Sequence, residues 1–262
     1  MEGKHVAKCI SIIGLEGFPL VKPGDDIACL IIEVAKKQKV LLENGDIVAI
    51  SQKIVSKAEN RLVDLKSLNP SIKAQELAHL SGKDARLIEC VLNETKRLVK
   101  ASKGIIISEN NQNIVCLNAG IDKSNVFGNS CYSLLPINPD ESAKKIRERL
   151  MKISKKKIAV IICDTYSRPF RRGQVEFAIG IAGIKPIKDY RGKFDLFKRI
   201  LRFKYVAIAD ELASAAELVM GQGNEGIPVA IIRGLSEIEW DENSSSYELY
   251  ISNEEDLFKD TL

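Results

Sequence analysis

Lys157-Ile158-Ala159-Val160-Ile161-Ile162-Cys163 is a continuous apolar, β-branched run, and Asp164-Thr165-Tyr166-Ser167-Arg168-Pro169-Phe170-Arg171-Arg172-Gly173 follows it without a break. A run lacking polar alternation predicts a strand covered on both faces. The charged, amphipathic stretch from Asp140 to Lys155 predicts a helix that leads into it. A carboxylate and a hydroxyl at the exit of a buried strand are the groups with which nucleotide enzymes hold a hard cation. Three nearby arginines offer forked donors for phosphate or carboxylate oxygens.

Working outward, residues 7–13 read as a strand, and a turn-rich stretch from Gly17 to Gly24 leads to a helix from Asp25 to Lys39. Asn44-Gly45-Asp46 is a turn before the short apolar strand Ile47 to Ser51. Pro70 to Leu80 and Asp84 to Ala101 read as helices, the second with Leu87, Ile88, Val91, Leu92, Leu98 and Val99 on one face. Gly104 to Ser108 and Asn113 to Leu117 form a hairpin candidate. Asp210 to Val219 is a helix, Val229 to Ile232 a strand, and the tail after Asp241 reads as peripheral. The fold class is α+β, with mixed sheets and helices and neither a repeat nor a low-complexity linker.

Bulk properties remove several functions. The 262 residues are 45% hydrophobic and 28% charged, enough for a sizeable core. A net charge of +4, spread among acids without an aromatic-basic platform, argues against a nucleic-acid partner. Residues 1–8 carry no apolar signal core and no run approaches the roughly 20 residues that span a bilayer, so a cytoplasmic protein without a membrane partner is expected. The six cysteines are scattered without a CxxC pair and read as reduced, mostly buried thiols. Only His5 and His79 are present, neither beside a ligand-like partner, which disfavours a zinc site or a Ser-His-Asp hydrolase.

Polar or glycine-rich segments interrupt the apolar pattern in four places. They are Ser51 to Glu59, Leu117 to Asn125, Asp164 to Gly173 and Met220 to Pro228. Each alone has an ordinary explanation: a solvated lysine, an Asx turn at Asn118 or Asp122, surface arginines paired with acids, and glycines that stop a helix. The last loop matches neither the Walker nor the Rossmann pattern.

Taken in order, these segments resemble the coenzyme F420-0:γ-glutamyl ligase family from Gly17-Phe18-Pro19-Leu20 to Ile227-Pro228. The resemblance rests on Val55-Ser56-Lys57-Ala58-Glu59, Asn118-Ala119-Gly120-Ile121-Asp122, Ser124-Asn125-Val126 and Asp164-Thr165 with Arg168-Pro169-Phe170-Arg171. It continues through Ala178 to Gly183, Asp189-Tyr190-Arg191-Gly192, Ala209 to Ala213 and Met220-Gly221-Gln222-Gly223. It implies GTP-driven ligation, in which the coenzyme's terminal carboxylate is phosphorylated and the amine of L-glutamate displaces phosphate. GDP and phosphate are released.

By the same resemblance, Gly17, Phe18, Pro19, Leu20, Ser51, Gln52, Lys57 and Asn125 would bind nucleotide. So would Met220, Gly221, Gln222, Gly223, Asn224, Glu225, Gly226 and Ile227. Asp122, Asp164, Thr165 and Gln222 would hold two divalent cations, Mg²⁺ or Mn²⁺, with K⁺ a further candidate ion. Asp164, Arg168 and Arg171 would act in catalysis. The implied architecture is one ligase-like domain over residues 1–262 with two interwoven subdomains, a boundary near residues 127–139, and a homodimer. Tyr166-Ser167 and Asn60 depart from the family pattern and flank the site. They keep in view a ligase of the same chemistry with another carboxylate-bearing cofactor as acceptor, alongside a noncatalytic nucleotide-binding protein.

Overall fold

The computed structural model describes residues 8–252 and 254–256. The residue at which the first expected strand begins, Ala7, and His5 lie outside them. In chain order the elements are β1 (Ser11–Gly14), α1 (Ile27–Lys37), β2 (Ile47–Ser51), α2 (Gln52–Ala58) and β3 (Leu62–Asp64). Next come α3 (Ile72–Ser81), α4 (Ala85–Asn93), β4 (Thr95–Ser102), β5 (Ile105–Asn110), β6 (Val115–Leu117), β7 (Cys131–Ser133) and α5 (Pro139–Ser154). The chain continues with β8 (Ala159–Ser167), β9 (Gln174–Ile184), β10 (Lys188–Asp189), β11 (Tyr205–Val206), α6 (Ile208–Met220), β12 (Val229–Arg233) and β13 (Trp240–Asp241).

The main sheet runs β1-β12-β2-β8-β9-β13 and is antiparallel except between β2 and β8. The quoted apolar run supplies the first part of β8, from Ala159 to Cys163, and the strand continues through Asp164 to Ser167. Alternation sorts its side chains: Val160 and Ile162 join a core containing α1 residues, while Ala159, Ile161 and Cys163 join one containing α6 residues. Val48 and Ile50 of β2 repeat the first assignment, Ile47 and Ala49 the second. Burial on both faces thus explains why the strand shows no polar alternation. A third core gathers Ala74, Ile88, Val91, Ile106, Ala119 and Leu134 from α3, α4 and the smaller sheets.

The long helix expected over 84–101 is corrected. It ends at Asn93, and Thr95 to Ser102 pairs with β5 instead. Leu87, Ile88, Val91 and Leu92 do follow helical spacing, whereas Leu98 and Val99 belong to a bulged strand whose hydrogen bonds come from a segment beyond the turn. The hairpin partners β5 and β6 form as expected.

Strand β9 is an element that periodicity did not reveal, because Ala178-Ile179-Gly180-Ile181-Ala182-Gly183 is poor in typical strand residues. Its small residues serve close packing. A Cβ at Gly180 would stand 2.4 Å from the Pro139 carbonyl oxygen, and one at Gly183 would stand 2.4 Å from Arg147 Nε. The tail is not peripheral either. Ser245 and Ser246 hydrogen-bond Asp140, Ser246 is buried, and Glu242 makes a forked ion pair with buried Arg147.

All six cysteines are free; Cys90 and Cys163 are buried and Cys9 is exposed. Among the described residues no helix is long and apolar enough to cross a membrane. Gly180→Ala should destabilise the fold by about 1–3 kcal/mol, the usual cost of overpacking. Denaturant unfolding would measure the loss, and an unchanged midpoint would contradict the close seating of α5.

Candidate functional site

The carboxyl end of β2 meets the parallel strand β8 at mid-length, with Ser51 opposite Cys163, and β8 runs on past it through Asp164 and Thr165 to Ser167, paired with β9. Polar residues begin at this level on both strands, as Ser51 where β2 ends and as Asp164 within the part of β8 that extends beyond it, so Asp164 and Thr165 are strand residues where a loop was expected. Ser51 caps α2, and its backbone N–H donates to Pro228 O (2.9 Å), which ties the glycine-rich loop to this edge. A Cβ at Gly14, just before the Gly17 turn, would stand 2.9 Å from Ile227 Cγ2, so that turn begins beside the same loop.

Beyond Cys163 the side chains of β8 diverge. Thr165 lies directly across from Glu176 on β9, with Oγ1 3.1 Å from Glu176 Oε1 and 3.0 Å from Gln222 Oε1. The Gln222 amide donates to Glu176 Oε1 (2.7 Å) and to Glu217 Oε1 (2.9 Å). Glu176 is buried, and its second oxygen, Oε2, is buried with no hydrogen-bond partner. Burial raises its carboxyl above the ordinary value, and the charge of Glu217 adds to this against the bonds from Gln222 and Thr165.

Asp164, one residue earlier, is pushed up to about 7 by burial and then by the charge of Glu176, against the Thr165 backbone N–H and Lys53. The charge of Asp122 is also felt there, which places the two sequence-predicted aspartates in one electrostatic neighbourhood. Lys53 Nζ ion-pairs with Asp122, donates to Ser124 O (2.9 Å) and reaches Ser124 Oγ. Burial acts to raise the Asp122 carboxyl, but bonds from Lys53 and Ser124 hold it below its ordinary value.

The Asp122 segment also reaches the glycine-rich loop. Asn125 donates to Gly223 O (3.1 Å), and Lys57 Nζ donates to Asn125 O (2.8 Å). Burial, followed by the charge of Lys53, lowers the Lys57 ammonium. Within the loop the Glu225 carboxylate accepts from the Gly223 N–H (2.8 Å) and fills the space a Cβ at Gly221 would need. A carboxylate thus sits on a backbone donor of the kind that receives phosphate. The Tyr166 hydroxyl donates to Val115 O (3.1 Å) and its ring lies 4.8 Å from that of Phe177, joining β8 to the strand that leads toward Asp122.

Other expected residues stand apart from this cluster. Gln52 is buried, with its amide oxygen accepting from Ser56 Oγ (2.8 Å). Phe18 packs on the core beside α1, while Leu20 is 87% exposed. Arg168, Arg171 and Arg172 lie on the β8–β9 turn and form no ion pair among the described residues. Arg168 Nε is buried without a partner. Asn60 has φ 57°, a conformation that favours glycine and next asparagine, which accounts for that departure from the family pattern.

Sequence reasoning missed Glu176, which no loop or motif marks. Only its pairing opposite Thr165 brings it in. It also left Lys53 unassigned within its polar segment.

Fold and site together define an α+β protein in which carboxylates, hydroxyls and amides cluster where β2 ends against β8, beside a glycine-rich loop. The family model described as F420-0:Gamma-glutamyl ligase matches residues 17–234, and the chain belongs to that family. It is 48% identical over 225 residues to the "Coenzyme F420:L-glutamate ligase" of Methanothermobacter thermautotrophicus, covering 86% of this chain and 89% of that one. A protein of the same name from Methanocaldococcus jannaschii is 42% identical over 250 residues, 95% of this chain and 97% of its own. One from Archaeoglobus fulgidus is 41% identical over 250 residues, 95% and 96%.

The raised carboxyl of Asp164 carries a sign. Because the folded protein holds that proton to about 7 and the unfolded chain releases it near 3.8, stability is fully present below the lower value and declines as pH rises through the upper one. Thermal melts of the ligand-free protein should therefore lose part of their midpoint between about pH 4 and 7. Asp164→Asn should flatten that slope, and an identical slope in the variant would remove Asp164 as its source.

Proposed function

We propose that this protein is a ligase that uses GTP to join L-glutamate through its amine to the terminal carboxylate of coenzyme F420-0. Supporting this is the match of most of the chain to proteins named for that ligation. The observation that carries it is that Thr165 meets Gln222 beside β8, Asn125 bonds the Gly223 carbonyl of the same loop, and Asp122 lies near enough for its charge to act on Asp164.

The donor set fits hard cations. The Glu176 oxygen buried without a partner and the raised Asp164 carboxyl both signal negative charge short of compensation. Among the described residues no three His, Cys, Asp or Glu side chains form a ready metal cluster, and the candidate donors are mixed: carboxylates with the Thr165 hydroxyl and the Gln222 amide oxygen. Asp122, Asp164, Thr165 and Gln222 would hold two Mg²⁺ or Mn²⁺ ions, with Glu176 close by. Such ions supply charge neutralisation for phosphate oxygens and the anionic acceptor.

The chain's own groups then position the reactants. Backbone N–H groups of the loop from Met220 to Ile227 and the ammonium of Lys57 receive phosphate oxygens, with Ser51 and the Gly17 to Leu20 turn at the nucleotide's edge. The γ-phosphoryl group passes to an oxygen of the coenzyme carboxylate, GDP leaves, and the glutamate nitrogen attacks the acyl carbon as phosphate departs and the amine loses a proton. This chemistry needs in-line placement more than covalent help, so a site without histidine suffices. Arg168 and Arg171, without an ion pair among the described residues, are assigned to the incoming anions.

The homodimer expected from the resemblance finds support in the segment between β10 and β11. There Leu196, Phe197 and Phe203 are more than 80% exposed.

Incubation with GTP, Mn²⁺, L-glutamate and F420-0, followed by mass spectrometry, should show one added glutamyl unit. GDP release only with other acceptors would transfer the reading to a related ligase, and nucleotide binding without turnover would end the enzymatic reading. Asp164→Asn should lower kcat by about 10²–10³-fold with the fold intact, the scale of losing one transition-state electrostatic contact. Unaltered GTP consumption would show that Asp164 does not serve the reaction.

A further inference from the structure

Lys53 stands where acids and oxygens converge. Its ammonium meets the Asp122 carboxylate, the Ser124 carbonyl oxygen and the Ser124 hydroxyl, and its side chain is only 15% exposed. Its charge also acts on Asp164 and on Glu176. A carboxylate, a carbonyl and a hydroxyl oxygen gathered on one point form a donor set that a hard divalent cation also accepts. Here a tethered ammonium, which offers three donors and no acceptor, fills that place.

We propose that Lys53 is a built-in competitor for the divalent cation, occupying the Asp122 end of its site until nucleotide and cation arrive together. The inference rests on the reading above only in taking Asp122 as a cation ligand. A divalent ion on the Asp122 oxygen that Lys53 holds would stand against the ammonium's like charge, so the cation must displace Lys53, and its apparent affinity is reduced by the stability of the Lys53–Asp122 pair. A triphosphate changes the balance, because it gives the displaced ammonium another anion to meet. Cation alone therefore binds weakly, and cation with nucleotide binds well. Lys53 offsets the repulsion among nearby acids, and it makes cation loading depend on the nucleotide.

The test is Mn²⁺ binding, followed by the free-ion electron paramagnetic resonance signal and by calorimetry, without any substrate. Lys53→Met keeps the apolar stem and removes the charge. It should bind Mn²⁺ about fivefold more tightly than the unmodified protein, the scale of one part-buried ion pair. Lys53→Arg, which keeps the competing charge, should show no gain. With GDP present the advantage of Lys53→Met should shrink, since the ammonium's contact with phosphate is lost as well. Thermal melts should show the metal-free Lys53→Met protein less stable than the parent and its midpoint rising further on adding Mn²⁺.

Equal or weaker Mn²⁺ binding by Lys53→Met overturns the proposal. Asp122→Asn separates the two levels. If that variant loses Mn²⁺ while Lys53→Met gains nothing, the competition fails and the cation site stands. If Asp122→Asn binds Mn²⁺ as the parent does, the assignment of the cation to Asp122 fails, and the competition with it.

Discussion

Carboxylates brought together at strand ends repel one another, and that repulsion constrains the whole site. Asp122, Asp164 and Glu176 come from three separated parts of the chain, and each feels a charge among the others or the nearby Lys53. In the ligand-free protein Lys53 satisfies Asp122, and Gln222 with Thr165 satisfies one oxygen of Glu176. Asp164 is held up by burial and by the charge of Glu176, and the second Glu176 oxygen is buried without a hydrogen-bond partner, so both lack the compensation that water gives exposed acids.

The acids around β9 show the same chemistry turned to a structural purpose. Four of that strand's backbone N–H groups are received by side chains: those of Glu176 and Ala178 by Glu217 and Asp210 of α6, that of Ile181 by Asp140 of α5, and that of Gly183 by Ser244. Edge strands with open N–H groups invite unwanted pairing, and side-chain acceptors close this edge where β13 covers only its end. Asp140 in turn receives Ser245 and Ser246, so a tail that reads as peripheral by composition completes the helix–strand contact. Glu217 links both roles, since one of its oxygens accepts from the β9 backbone and the other from Gln222. Stability of the sheet and orientation of the site residue share one side chain.

Order within the cleft comes from links between distant segments. Asn125 spans from the Asp122 segment to Gly223, Tyr166 from β8 to β6, and Ser51 from β2 to Pro228. Glu225 on the Gly223 N–H and Lys53 on Asp122 place a carboxylate and an ammonium of the chain itself at positions suited to ligand charge. Binding then exchanges internal partners for external ones, which lowers affinity but keeps the loop and the acids arranged beforehand.

The sequence by itself determined the buried strand that begins at Ala159, though not its continuation from Asp164 to Ser167, together with the strand Ile47 to Ser51 and the helices around Asp140 and Asp210, because periodicity and capping are local properties. The ordered motifs also carried the family, and with it Asp122, Asp164, Thr165 and Gln222 as candidates. Tertiary structure alone decided that Thr95 to Ser102 is a strand, since the hydrogen bonds that outweigh its helical spacing come from β5. It decided that glycine-rich Ala178 to Gly183 is a strand, since smallness has meaning only against the helix α5 that presses on it. It brought in Glu176 through pairing with Thr165, and Lys53 through a partner 69 residues away. Local preference is written along the chain, whereas charge compensation depends on which distant groups share a cleft.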